Sequence, residues 1–285
     1  MTMEAAGLVE QRRDGVEHAK KVGYAHKIIK RKNRCKRRSV QRYAPKVPSV
    51  LQELFLSCRD VFKGPGTVPS PFDVQKLCRI LDNMKPEDVG LSSKLLQFFS
   101  ATDRTPIVTS TTIHKCKNFS LCLFFLPPTA VIPLHNHPEM TVFSKLLLGT
   151  MHIKSYDWVD PIDLNFSPPS GQSKLAKLVS DSDFTAPCDT SVLYPTTGGN
   201  IHEFTAITTC AVLDVLGPPY SKDDGRDCSH YKELSLSSST LPNGETNSER
   251  KEDGDEILRW LEEIEMPENS QMDEIEYLGP QIVEY

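Results

Sequence analysis

The stretch from Ala130 to Ile153, AVIPLHNHPEMTVFSKLLLGTMHI, decides how the rest of the chain is read. Within it His135, Asn136 and His137 form a His-x-His tripeptide. Side chains alternate faces along an extended strand, so positions 135 and 137 point the same way, close enough for both imidazoles to hold one metal ion. One further ligand would complete a site. His202, in YPTTGGNIHEFTAITTCAVLDVLGPP, is the best candidate. Gly198 and Gly199 mark a tight turn, and the β-rich run after them carries His202 back alongside the pair.

The histidine pair, Gly149 and the second turn-His segment resemble the two motifs of the cupin superfamily. Cupin first motifs usually place a metal-binding Glu four or five residues after the second His, where this chain has Thr141 and Val142. Glu139 shares the face of His137 and is too close in sequence to take that place. The site therefore reads as three neutral imidazoles without a carboxylate. Imidazole suits iron, zinc, copper and nickel, whereas magnesium and calcium prefer oxygen. Replacing the carboxylate of the common two-His facial site by a third His leaves a more positive Fe(II), which favours an anionic ligand such as thiolate. A three-His zinc or nickel enzyme, with water activated on the metal, stays open beside it. So does a non-catalytic nuclear cupin that binds a protein partner, and so do ordinary core or surface histidines.

The segments PLHNHPEMTVFSKLLLGTMHIKSYDW, YPTTGGNIHEFTA and VLDVLGPPYSKDDGRDCSHY resemble the plant cysteine oxidases, relatives of the animal 2-aminoethanethiol dioxygenases. The likeness runs from about Leu51 to Tyr231 and resumes in the terminal YLGPQIVEY. It implies a mostly β fold, the cupin jelly-roll barrel or double-stranded β-helix, and a ferrous cofactor, Fe(2+), held by His135, His137 and His202. It also implies that dioxygen oxidises the exposed N-terminal Cys of regulatory proteins to the sulfinic acid level. Those proteins would be transcription factors of the ethylene-response class, whose oxidised N-termini feed the N-degron pathway in the hypoxia response. Asp214, Tyr220 and Cys228 match positions that line or border the family's substrate cavity.

The residues themselves leave those three roles open. Asp214 is the one charged group in TTCAVLDVLGPP. A carboxylate there costs much unless paired, so it either attracts a substrate ammonium or fixes a loop through backbone N–H groups. Tyr220 follows Pro218 and Pro219 and could order substrate or simply pack. Cys228 reads as a reduced loop cysteine or a cavity thiol. His152 and Trp158 are expected to support the barrel, while His114 and His230 are unassigned. Free cysteine presents a carboxylate that a buried Arg would clamp, yet no Arg occurs between Arg104 and Arg226. An N-terminal Cys followed by more chain fits better.

Charge is segregated. Residues 1–50 hold 14 Lys/Arg against 4 Asp/Glu, or +10, and the remainder holds 19 against 34, or −15. The run KIIKRKNRCKRRS reads as a nuclear-import signal, with DNA binding the less favoured use because no aromatic interleaving accompanies it. No apolar stretch approaches membrane length, LCLFFL being six residues, and the charged amino terminus lacks a secretory apolar region. The expectation is a monomer in nucleus and cytoplasm, without a membrane partner, its eight Cys reduced.

Four pieces follow: a basic disordered head over 1–48, the cupin domain over 49–233, a flexible polar linker over 234–250, and a C-terminal helix and tail over 251–285 that packs back on the barrel. Helical spacing in Leu51, Leu54, Phe55 and Cys58, and again in Val74, Leu77, Cys78 and Leu81, predicts two short helices against one barrel wall. A third is predicted over SSKLLQFFS. Ile257, Leu258, Leu261 and Ile264 form the stripe that predicts the C-terminal helix, ended by Pro267.

Overall fold

Ser49 and Ser70 each start a helix in the same way. Their hydroxyls accept the Gln52 and Asp73 N–H groups at 3.2 Å, satisfying donors that the first turn leaves open. Helices α1 (Val50–Val61) and α2 (Pro71–Asp82) follow, with Leu51, Leu54, Leu77 and Leu81 at most 1% exposed. Each such leucine contributes on the order of 1.5–3 kcal/mol of burial free energy. The computed structural model describes residues 49–92, 106–159, 170–234, 256–267 and 270–284. The basic head, nearly all of the third predicted helix and the polar linker beyond Leu234 lie outside them. After α2 the described chain makes a single 3-10 turn, Pro86–Val89.

Twelve strands build the rest of the described residues. They are β1 (Thr109–Lys115), β2 (Ser120–Leu126), β3 (Val131–Asn136), β4 (Thr141–Leu148), β5 (Thr150–Trp158), β6 (Ser173–Thr185), β7 (Ser191–Leu193), β8 (Ile201–Ala206), β9 (Cys210–Gly217), β10 (His230–Leu234), β11 (Leu258–Ile264) and β12 (Asp273–Glu274). One sheet has the order β12-β1-β2-β9-β4-β7, and the other, β10-β11-β6-β5-β8-β3, curls into a closed barrel. This two-sheet arrangement is the mostly β jelly roll expected of a cupin, with the helices on one wall.

Strand parity divides the core into layers. Leu213 and Val215 of β9 join Phe143 and Leu121 in packing against α1 and α2. Val212 and Leu216 point the other way, toward the second sheet. Within that second sheet Leu134, Tyr156, Ala176, Ile201, Tyr231 and Leu261 form a core of their own. His135 and His202 adjoin Leu134 and Ile201 in sequence, so they face the opposite way, into the space between the sheets.

The predicted C-terminal helix is a strand. β11 pairs with β6 from Leu258↔Lys177 to Glu262↔Ser173, and with β10 from Leu234↔Trp260 to His230↔Ile264. Of the stripe, only Leu261 is fully buried, alongside Trp260, while Ile257 is 47% exposed. Backbone partners on both sides outweighed a helical preference worth a fraction of a kcal/mol per residue, roughly 0.7 at most for ordinary residues. Tyr277 and Ile282 join the helix-side core, and β12 runs parallel to β1. The Gln52 side chain donates to the Val283 carbonyl at 3.0 Å and accepts its N–H at 2.8 Å. His114, unassigned from sequence, meets Glu284 at 3.3 Å. Among the described residues no helix is long and apolar enough to cross a membrane.

Candidate metal centre

His135 on β3 stands directly opposite His202 on β8 in the antiparallel register. His137 lies one residue past the end of β3, where the chain turns toward β4. The three ring centroids are 4.6–4.9 Å apart, and one ring nitrogen from each histidine lies within 4.8 Å of the other two. No other such cluster of His, Cys, Asp or Glu occurs among the described residues.

Each imidazole is held by backbone. His135 Nδ1 lies 2.8 Å from the Pro133 carbonyl and His137 Nδ1 lies 3.1 Å from that of Asn200, so Nδ1–H donates to each carbonyl and the Nε2 lone pair of both is left for a metal. His202 bonds the backbone of Gly199. Burial pulls the pKa of His135 down to about 4 and that of His137 to about 3, and lowers His202 well below the usual value. All three are neutral near pH 7. That is the protonation state metal ligation requires.

The support for His137 had no local sequence signal. Asn200 accepts the His137 N–H at 3.1 Å and returns its own amide to the His137 carbonyl at 2.9 Å. Asn200 is in turn held by Asp157, whose carboxylate accepts the N–H groups of Gly198, Gly199 and Asn200 at 2.8–2.9 Å. Gly199 has φ +82°, and a Cβ there would sit 2.6 Å from Ser155 Oγ. The turn read from two glycines is thus required by both dihedral and contact.

Val142, one of the two positions where a cupin would carry Glu, is fully buried among Met140, Leu193 and Leu216. The centre is all imidazole. Asp214 lies on β9 between Cys122 of β2 and Ser144 of β4, on the face that looks into the space between the sheets. It is 5% exposed, and its Oδ1 has no hydrogen-bond partner. Burial raises its pKa to about 7, against a hydrogen bond with Ser144 that lowers it. No loop is fixed by it in the hydrogen bonds of the described residues.

The Tyr220 ring lies tilted at 34° against the His137 ring, 5.7 Å between centroids, and its hydroxyl donates to the Asn136 carbonyl at 2.8 Å. Its polar end therefore positions the His-x-His segment. The Cys228 thiol is hydrogen-bonded with Tyr220, and its pKa is pushed up to about 11, chiefly by burial. It stays a thiol at neutral pH. His230, unassigned from sequence, pairs with His135 across β10 and β3, the two rings 6.4 Å apart. His152 sits away from this cluster, bonded to Asp183 at 2.7 Å and Asp181 at 2.8 Å. Trp158 packs edge-on against Tyr231 at 5.3 Å in the second sheet.

The PCO_ADO family model matches residues 80–282. Plant cysteine oxidase 2 of Arabidopsis thaliana is 51% identical over 87% of this chain and 89% of its own. Plant cysteine oxidase 1 of the same plant is 49% identical over 75% of this chain and 73% of its own. The human 2-aminoethanethiol dioxygenase is 31% identical over 62% of this chain and 73% of its own. A barrel that gathers three neutral histidines between its sheets, matched by the family model over most of its length, belongs to the PCO_ADO family of dioxygenase enzymes.

Proposed function

We propose that the chain is an iron-dependent thiol dioxygenase acting on the N-terminal Cys of peptides and proteins. The observation that carries the reading is the pairing of a three-imidazole, carboxylate-free cluster with a buried carboxyl, Asp214, whose Oδ1 lacks a partner. His135, His137 and His202 would hold the metal. An iron ion in that place supplies the Lewis acidity that favours a thiolate over a thiol and the redox capacity that dioxygen chemistry needs.

The protein's own residues do the rest. Asp214 offers its free oxygen to the substrate ammonium, which would lower the carboxyl's pKa and fix the cysteine's orientation. Met140, Val142, Leu193 and Leu216 keep the neighbourhood apolar and exclude water. Both atoms of dioxygen end on sulfur. R–SH plus O2 gives R–SO2H, the sulfur losing four electrons, dioxygen gaining them, and the proton leaving with the acid.

Such an enzyme would report oxygen supply through the state of its substrates, and a sulfinic N-terminus would mark them for the N-degron pathway. The resemblance to plant cysteine oxidases supports ethylene-response-class factors as those substrates, and the basic head supports a nuclear as well as a cytoplasmic pool. Neutralising Lys30, Arg31, Lys32, Lys36, Arg37 and Arg38 should move a fluorescent fusion out of the nucleus without changing peptide turnover; an unchanged distribution would sink the import reading.

The deciding experiment is metal analysis of the native protein together with peptide mass after aerobic incubation. Iron and a gain of two oxygen atoms on an N-terminal Cys peptide are expected. Zinc or nickel with no oxygen uptake would overturn the reading in favour of a three-His hydrolase or isomerase.

A further inference from the structure

Beside the metal centre, between the two sheets, lies a cavity of about 110 Å³. His202 and Phe204 of β8 form one part of its wall, and Phe204 stacks on the His202 ring at 4.3 Å and 16°. Ser144, which hydrogen-bonds Asp214, forms another. The wall therefore includes one of the three histidines, His202, and Ser144, the hydrogen-bond partner of Asp214, so the cavity adjoins the place of the metal on one side and the ammonium site, one residue removed, on the other.

Three properties say what it could hold. Drug-sized ligands fill roughly 300–1,000 Å³, so this space suits a few heavy atoms, one side chain with its peptide unit. Apolar groups and the hydroxyls of Ser144, Ser155, Ser180 and Ser191 line it, without one Lys, Arg, Asp or Glu. It also leads outward. Val179 on β6 is 45% exposed and Ser191 on β7 is exposed, and both belong to its wall. β7 is a three-residue edge strand, so the sheets part there.

A cysteine held by its sulfur at the metal and by its nitrogen at Asp214 has one substituent left on its α-carbon, the carbonyl that continues the chain. We propose that this cavity receives the residue that follows the substrate cysteine, a neutral peptide unit with a small uncharged side chain, and that the chain leaves between β6 and β7. Serine hydroxyls can pair with a peptide's N–H and C=O. A free carboxylate in the same place would be desolvated without a cation, which disfavours free cysteine. The inference rests on the thiol-dioxygenase reading and adds the subsite that selects among thiols.

The test compares 2-aminoethanethiol, which lacks the substituent, with free cysteine and with peptides beginning Cys-Ala and Cys-Asp, all on iron-loaded full-length protein. Val179→Trp narrows the mouth and should lower kcat/KM for the Cys-Ala peptide by about tenfold or more relative to 2-aminoethanethiol. Ser191→Arg changes an exposed position that keeps the fold, and should raise the turnover of free cysteine and Cys-Asp relative to Cys-Ala. Equal changes for 2-aminoethanethiol and peptide in both variants, or none in either, would overturn the subsite. Failure of the wild type to oxidise any of the thiols would instead overturn the dioxygenase reading, so the two failures are distinct.

Discussion

Asn136 and Ser229 hydrogen-bond in both directions: the Ser229 N–H donates to Asn136 Oδ1 at 2.9 Å, and the Asn136 N–H donates to the Ser229 carbonyl at 3.2 Å. Asn136 is the middle residue of the His-x-His tripeptide, and its carbonyl takes the Tyr220 hydroxyl as well. Three of its polar groups are thus tied to the segment from Tyr220 to Ser229. Arg226, 4% exposed, closes that segment by donating to the Pro219 carbonyl at 2.8 Å and pairing its backbone with that of Ser221.

Asn136→Ala should leave the barrel folded but loosen both flanking imidazoles. Outer contacts of this kind are typically worth about 10–100-fold in metal affinity. Competition with a chelator measures it. Arg226→Lys keeps the charge but loses the fork, and should weaken metal binding in the same direction; unchanged affinity in both variants would show that the segment does not set the ligand geometry.

His135→Ala, His137→Ala and His202→Ala should each remove most bound metal while circular dichroism still reports the β fold. Burial makes the two imidazoles left in each variant neutral, so no unpaired charge is created by the change. Full metal occupancy in any one variant would remove that residue from the ligand set.

Asp214 gives a pH test with a definite sign. Its carboxyl, raised by burial to about 7, is neutral below that pH and charged above it, and only the charged form can hold an ammonium. For amine-bearing thiols kcat/KM should climb as pH rises through about 7 in the wild type, and Asp214→Asn should flatten that limb while metal stays bound. Amino-acetylation of the peptide should give no further loss in the variant, as for two groups in one contact. Stability runs the other way: a raised carboxyl costs the folded state increasingly as pH rises from the unfolded value toward about 7, so the Asn variant should gain stability relative to wild type over that window.

His152 offers a second titration with the opposite sign. Its hydrogen bond to Asp183, then that to Asp181, raises its pKa above the usual value. The stabilisation is fully present below the unfolded histidine value and is lost as pH rises through the folded one. In a proton NMR titration the His152 midpoint should lie above that of an unperturbed histidine and fall in Asp183→Asn. The exposed setting keeps the effect on melting small and sensitive to salt.

The gathering of the three histidines was legible in the sequence because it is local. Strand alternation puts His135 and His137 on one side, and the Gly198–Gly199 turn returns His202 beside them, so residue order alone carries most of the geometry. The two N-terminal helices were legible for the same reason, their apolar residues recurring at the helical period behind serine caps. The C-terminal stripe misled because Ile257, Leu258, Leu261 and Ile264 satisfy a helical period on paper, while the free edges of β6 and β10 decided its backbone partners. What holds the ligands was not legible either. Asn200 reaches His137 across 63 residues of sequence and Ser229 reaches Asn136 across 93, and His230 becomes the neighbour of His135 only once β10 is laid beside β3. Asn, Ser and Asp have no periodic signature. Which backbone groups they meet is set by the path of the chain through both sheets, and that path is a property of the tertiary structure.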